Sequence, residues 1–469
     1  MKIAFLHYHL KRGGVTTVIG HQVKALVSMG WQVMVLSGAP AEEPLPAPVV
    51  TVPEIGYDNT LHNSSYSPDK IAKKIIGAIK NHWPHGADVI HVHNPTLAKN
   101  RYLQAVLRRL QGSDMRLLCQ IHDFAEDGRP AVFQQAPYLE NCHYAAINPR
   151  DHQLLIQSGL KSNGCHLLAN TIHSTTPDLG HPGKSELVIY PVRAIRRKNI
   201  GEALLISLFF HHGQSLAISL PPNSPADYAS YDQWRSFARR YDLPVQFEIG
   251  VDLDYSKVLA QCRYVLNTSI TEGFGFVYLE PWVHGKALWG RLLPDICQGF
   301  VDHGIALKHL YTQLRVPLQW IDPHLFEVRW KNTLTEASGI LCCPLSHQEV
   351  DSAWHSVSGN DNIDFGLLDE SAQQKVILKV ITDRQAADRL RDLNPFLTRP
   401  GPPENFEAVI SRNAQVIAQS YHPDRYARRL KELYTAVVDT QVEQAINKPK
   451  LASAFLNPSD FSLLKWGAL

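Results

Sequence analysis

Glu272 and Glu280 stand in the pattern E-x7-E around the run Gly273-Phe274-Gly275-Phe276. An apolar run at 264–267 precedes them and a helical pattern at 276–284 follows, so the segment reads as strand, polar turn and helix. Gly273 and Gly275 permit backbone conformations, and a close approach, that a Cβ would obstruct. The start of the helix offers unpaired N–H groups and about half a positive charge, a seat suited to a diphosphate. Carboxylates accept hydrogen bonds from vicinal hydroxyls, which ribose and hexose both carry. The spacing alone is equally met by a glycine turn with two solvated glutamates; the strand–turn–helix setting favours a ligand.

A second cluster, Tyr190-Pro-Val-Arg-Ala-Ile-Arg-Arg-Lys-Asn199, follows another strand. Arg193 and Lys198 project from the loop after it, on the same sheet edge as Glu272 if the strands are parallel. Two cations beside a departing diphosphate stabilise the negative charge that grows as the bond breaks. Arg196 and Arg197 read as a solvated basic loop. Near the N-terminus, Lys11-Arg-Gly13-Gly14 joins a strand to a helix. It lacks the third glycine and the acidic residue of a dinucleotide fingerprint. His122-Asp123 ends a strand, where an imidazole can hydrogen-bond a hydroxyl or serve only the core. His7/His9 and His91/His93 alternate along strands, but no cysteine or carboxylate cluster joins them, so no metal site is expected. Asp252-Leu-Asp254 precedes a helix and reads as structural.

The elements that must position these residues alternate. Apolar, β-branched runs at 3–6, 33–36, 89–92, 117–121, 144–147 and 167–169 suit strands buried on both faces of a parallel sheet. Helical patterns at 15–29, 69–82 and 96–110 separate them. A turn-rich stretch at 175–185 reads as a linker. The alternation then resumes, with strands at 187–190, 216–220, 245–249, 264–267 and 287–289. Helices are expected at 199–211, 231–240, 255–262 and 276–284. Two doubly wound α/β domains facing across a cleft follow, with ligands at the strand carboxyl ends. The pattern fades from 294 to 360. Helix returns at 373–381 and 403–437.

At 469 residues the chain is too long for one core. Lys+Arg 46 against Asp+Glu 44 leaves a formal charge of +2, with no concentrated basic stripe to argue for nucleic acid as a partner. The start lacks the apolar core of a signal peptide and no 18-residue apolar run occurs. Seven cysteines form no CxxC pair. A protein of the reducing cytoplasm is expected. Lys70, Lys73, Lys74 and Lys80 share one helix, a solvated face that also suits weak contact with a membrane surface.

In order and interval, Gly13-Gly14, His122, Arg193 with Lys198, and Glu272 through Glu280 resemble the motifs of retaining GT-B fold glycosyltransferases of family 4 type. The resemblance spans most of 1–290 and again 364–437. It implies an N-terminal Rossmann-like acceptor-side domain at 1–180 and a nucleotide-sugar-binding domain at 185–410, diverged or inserted at 296–359. Helices at 411–469 would cross back to the first domain. It further implies that Glu280 binds the ribose and that Arg193 and Lys198 bind the diphosphate. Glu272, with the Gly273–Phe276 backbone, would bind the donor sugar. His122 would contact that sugar, and Gly13-Gly14 the phosphate or acceptor. The implied activity is sugar transfer to a hydroxyl of a sugar, a small molecule or a lipid-linked acceptor, retaining anomeric configuration. The donor is expected to be a UDP- or GDP-sugar, with no cofactor and no metal. The sequence departs from the family at Val192, where a glycine is usual before the arginine, and at the segment Ala-Leu-Trp-Gly-Arg291 after Lys286, so no role carries onto Arg291. An epimerase, a phosphorylase or a silent sugar-nucleotide-binding protein on the same fold are the alternatives.

Overall fold

Apolar runs too continuous for a half-exposed sheet become the strands of two parallel sheets. The first contains Lys2–His7 (β1), Gln32–Ser37 (β2), Val49–Thr51 (β3), Val89–His93 (β4), Leu117–Ile121 (β5), His143–Ala146 (β6) and Cys165–Leu167 (β7). Their order is β3-β2-β1-β4-β5-β6-β7, every pair parallel. Alternate residues serve opposite faces: Ile3 and Phe5 join one apolar core, Ala4 and Leu6 the other. The computed structural model describes residues 1–58, 66–173, 186–223, 225–251 and 255–467. The linker expected at 175–185 and the Asp252/Asp254 pair lie outside the described residues.

The second sheet contains Leu187–Arg193 (β8), Ser215–Leu220 (β9), Val245–Phe247 (β10), Tyr264–Asn267 (β11) and Leu288–Gly290 (β12), ordered β10-β9-β8-β11-β12 and again all parallel. β8 is central, with β11 beside it, so the loops after these two strands are neighbours. A small antiparallel pair, Arg315–Pro317 (β13) with Asn362–Asp364 (β14), stands apart from both sheets.

The chain divides into two compact units. One comprises Met1–His173, Leu341–Cys343 and Tyr421–Leu456; the other comprises Ser174–Ile340, Pro344–Ser420 and Asn457–Leu469. Within the first unit, helix Pro423–Asp439 packs on helix Gly14–Ser28, and its Tyr426, Leu430, Leu433 and Tyr434 fill the same core as Ile3 and Phe5. The sequence bound at 411 falls inside helix Glu407–Ser420, which belongs to the second unit.

Several elements differ from expectation for local reasons. The helix expected over 96–110 begins only at Leu103. That expected over 403–437 is two helices, broken before Pro423, which supplies no N–H. The segment 294–360 is mostly helical, with helices Pro294–Asp302, Pro323–Ile340 and His347–Val357. Among the described residues no helix is long and apolar enough to cross a membrane.

Candidate functional site

In the second unit the loop after β8 and the loop after β11 are sewn together by backbone-directed hydrogen bonds. Tyr190 OH donates to Lys198 O at 2.6 Å and lies 3.0 Å from Ser269 Oγ. Thr268 Oγ1 reaches the carbonyls of Lys198 and Asn199, both at 3.1 Å, and Ile270 N–H donates to Arg197 O at 3.1 Å. Asn199 sits in the left-handed region at φ 53. Its Nδ2 donates to Glu202 Oε2 at 2.7 Å, and its Oδ1 accepts from Gln373 at 2.8 Å. With the backbone so fixed, the Lys198 ammonium meets the Glu272 carboxylate in an ion pair. Burial opposes the Glu272 charge, but Lys198 and Arg197 outweigh it and hold the carboxyl below its ordinary range. Arg193 ends β8, where the register with β9 shifts, and its side chain is half-buried.

The Gly-Phe-Gly turn is anchored by aromatic packing. Phe274 is buried edge-on against Phe276 and Phe300, with ring centroids 5.0 and 5.6 Å away. Gly275 has φ 88, and a Cβ there would approach Tyr278 Cδ2 to 2.9 Å, so glycine is required at this point. The continuous helix expected at 276–284 is absent. Phe276–Tyr278 forms a 3-10 turn and Glu280–Val283 a single α turn, separated at Leu279 (φ −120). Pro281 donates no hydrogen bond that could bind the two pieces into one ladder. Glu280 therefore opens a one-turn helix rather than lying in a second turn, and the expected dipole seat is correspondingly short.

Two arginines of this region are otherwise engaged. Arg196, expected in a solvated loop, pairs with Glu370 through Nε and Nη2 at 2.6 and 2.9 Å. Arg291 is buried, and its guanidinium is held by Glu202, Asp364 and the Thr312 carbonyl. Burial, with Asp364 facing the same guanidinium, holds the Glu202 carboxyl above its ordinary range although Arg291 pulls it down. This network carried no sequence signal, because its members lie up to 162 residues apart.

In the first unit His122 follows β5 at the carboxyl edge of the sheet. Its backbone N–H and that of Asp123 donate to Asn94 Oδ1 at 2.7 and 3.2 Å. Asn94 follows β4 with φ 53 and is buried. The Asn-Pro dipeptide at 94–95 was the available signal for this turn. His93 Nδ1 lies 2.8 Å from His122 Nε2, and His91 stacks on His93 with centroids 4.5 Å apart. Burial lowers His122 to about 4 and His7 and His91 to about 3, and pushes His93 well below its usual value. Asp123 pairs with Arg129 at 2.5 Å. Gly13 precedes helix Gly14–Ser28 in extended backbone (φ 170), and a Cβ on Gly14 would meet nothing within 4 Å. Neither glycine is demanded by the fold itself. Lys11 and Arg12 beside them are exposed, and no acidic residue stands in the helix's first turn.

Thus the structure joins Lys198 to Glu272, with Gly273 to Phe276 continuing the same loop, and puts Arg193 and Glu280 on the same unit. His122, Gly13 and Gly14 belong to the other. Among the described residues no group of three His, Cys, Asp or Glu side chains could hold a metal ion.

The family model for Glycosyltransferase Family 4 matches residues 12–152. Mannosylglucosyl-3-phosphoglycerate synthase of Petrotoga mobilis is 28% identical, the match covering 80% of each chain. Among solved structures, HepE of Anabaena in complex with UDP-glucose superposes with a TM-score of 0.55 at 15% identity, over 93% of this chain and 99% of that one. A glycosyltransferase from Rickettsia africae gives 0.55 at 11%, over 94% and 99%. At such identities the two structures bear on fold, and they share it. The chain is thus similar to glycosyltransferases of family 4 type over residues 12–152, and it has the two parallel-sheet α/β domains of the GT-B fold.

Proposed function

We propose that the protein transfers a sugar from a nucleoside-diphosphate donor to an acceptor hydroxyl with retention of anomeric configuration and without a divalent metal. The observation that carries this reading is the Lys198–Glu272 pair between the ends of adjacent parallel strands. It sets a cation beside a carboxylate where open α/β sheets bind ligands. In this reading Lys198 and Arg193 stabilise the charge developing on the departing diphosphate. Glu280 accepts hydrogen bonds from the ribose. Glu272 and the backbone of Gly273 to Phe276 accept and donate around the donor sugar, and His122 contacts that sugar. The departing phosphate assists removal of the acceptor proton, so neither glutamate acts as a hydrolase-type nucleophile. Retention and metal independence rest on the family resemblance.

The acceptor class we infer is supported by the Petrotoga relative and by the Gly13–Gly14 loop. The uncapped helix N-terminus at Gly14 and the exposed Lys11 and Arg12 suit an anionic acceptor, and a glycosylated phosphoglycerate is the first to try. A lipid-linked acceptor has less support, although Lys70, Lys73 and Lys80 are exposed on helix Pro68–His82; co-sedimentation with anionic vesicles tests it.

A screen of UDP-, GDP-, ADP- and TDP-sugars for thermal stabilisation tests the donor. A specific ligand at 100 times its Kd adds about 2.7 kcal/mol. No shift with any of them removes the reading. Product NMR then reports the anomeric configuration, and turnover in EDTA reports metal dependence. Donor epimerised without acceptor, or free phosphate released or consumed, would favour the epimerase or phosphorylase alternatives. Binding without turnover would favour a silent binding protein.

A further inference from the structure

His93 has no part in the reading above, yet its ring meets the histidine that does. It is fully buried, stacked on His91 and on Phe5, with centroids 4.5 and 5.7 Å away. Its Nδ1 lies 2.8 Å from His122 Nε2, and its Nε2 is buried with no hydrogen-bond partner among the described residues. Both rings are neutral at physiological pH, and at 2.8 Å the two facing nitrogens share a hydrogen bond, so one proton occupies the contact between them.

Two arrangements satisfy that count. If His122 Nε2–H donates, His93 must carry its own proton on Nε2, an N–H buried with nothing to accept it. An unsatisfied buried donor costs about 1–3 kcal/mol. If His93 Nδ1–H donates, its Nε2 is only a bare lone pair, and native structures leave buried acceptors underused more readily than buried donors. The second arrangement is favoured. It leaves His122 Nε2 as the acceptor and places the His122 proton on Nδ1. Asn94 fixes the backbone on which this ring stands, since its Oδ1 takes the N–H groups of both His122 and Asp123, while Tyr8 OH donates to the Asn94 carbonyl at 3.2 Å.

We propose that His93 is a positioning residue, holding His122 as the Nδ1–H tautomer so that its ring presents a donor to a hydroxyl oxygen of the donor sugar. The inference rests on the assignment of His122 made above. It adds which nitrogen bears the proton and which residue puts it there.

Nitrogen-15 NMR of the full-length protein labelled at its histidine rings, at pH 8, reads the tautomer directly; His122→Gln identifies the resonances. A protonated Nδ1 and bare Nε2 on His122 are expected, and a protonated Nε2 overturns the proposal. The kinetic arm uses the nucleotide sugar that stabilises the protein in the screen, together with its free nucleoside diphosphate. His93→Phe keeps an aromatic ring in the stack but removes the donor. Turnover should fall about tenfold, the size of one neutral hydrogen bond, with nucleoside-diphosphate affinity unchanged. His93→Asn, whose Nδ2 takes the place of the imidazole Nδ1, should restore it. Unchanged turnover in His93→Phe, or an Asn variant no better than the Phe one, overturns the role. If no nucleotide sugar binds at all, the assignment of His122 fails first. A donor turned over by a protein whose His122 carries Nε2–H sinks this inference alone.

Discussion

In the first unit the buried histidines and asparagine at the carboxyl edge of the sheet, His7, His93, His122 and Asn94, are neutral, and the Asp123–Arg129 pair beside them is only half-buried. In the second the polar groups of that edge are charged and paired, Lys198 with Glu272 and, deeper, Arg291 with Glu202 and Asp364. The two sheets share parallel build and crossover helices, so the difference lies in what each edge must meet. Paired charges that keep some exposure, 14% for the Lys198 side chain and 11% for Glu272, can exchange partners with an arriving anion or hydroxyl. At 5% and 0%, Arg291 and Glu202 cannot. All five guanidinium N–H groups of Arg291 already have acceptors, so the charge pairing proposed to bind ligand at one depth only builds the core at another.

Acid should separate the two edges most strongly. A histidine whose folded pKa is depressed binds its proton more readily in the unfolded chain, so its contribution is complete above about pH 6.5. That contribution is lost as pH falls towards the folded value, near 4 for His122 and near 3 for His7 and His91. Each such group removes about 1.4 kcal/mol per pH unit in that window. Glu272 has the opposite sign: its lowered pKa adds stability above the ordinary carboxylate range, and this is lost only as pH falls through its folded value. Between pH 6.5 and 5, hydrogen exchange should therefore show first-unit strands losing protection before those around β8 and β11. His309, a lowered histidine of the second unit, is only half-buried and should weigh less. Equal loss in both units would break the contrast.

Within the second unit, Arg291→Met should destabilise by about 3–5 kcal/mol, because it strands the buried Glu202 carboxylate. Adding Glu202→Gln, which removes the stranded charge and keeps one oxygen to accept from Asn199 or Tyr311, should return part of it; urea unfolding measures both. Lys198→Met should act on the other axis, lowering sugar transfer by about 10²–10³-fold while shifting the unfolding midpoint less than Arg291→Met does. A Lys198 variant that transfers sugar normally would place this pair with the structural ones.

The alternation of strand and helix was legible because burial on both faces leaves runs such as 117–121 and 264–267 almost purely apolar, and both match strands residue for residue. The stretch 294–360 was not. In helix Pro323–Ile340 the buried stripe of Phe326, Trp330, Leu334 and Ala337 is blurred by exposed Leu325 and Val328, so the period is hidden. Of the candidate site, Lys198 beside Glu272 could be anticipated from parallel strands alone. What remained hidden was pairing at long range. Arg196 looked solvated because Glu370 is 174 positions away, and the His93–His122 contact spans 29. Side chains that meet only after folding leave no local pattern to read.

The smallest expected effect concerns Glu280, which opens its one-turn helix and is half-buried. As acceptor for ribose hydroxyls it should matter to the nucleotide and not to the sugar. Glu280→Gln retains shape and one acceptor oxygen but loses the charge that strengthens those bonds. Affinity for the free nucleoside diphosphate should weaken about three- to tenfold, close to one kcal/mol, with turnover at saturating donor nearly unchanged. Glu272→Gln should do the reverse, reducing turnover and sparing nucleoside-diphosphate affinity. Calorimetry with the diphosphate and saturation kinetics with the donor sugar separate the two. If Glu280→Gln binds the diphosphate as the native protein does, the second carboxylate of the E-x7-E pair belongs to the turn that carries it, and ribose recognition must be sought on another loop of the same edge.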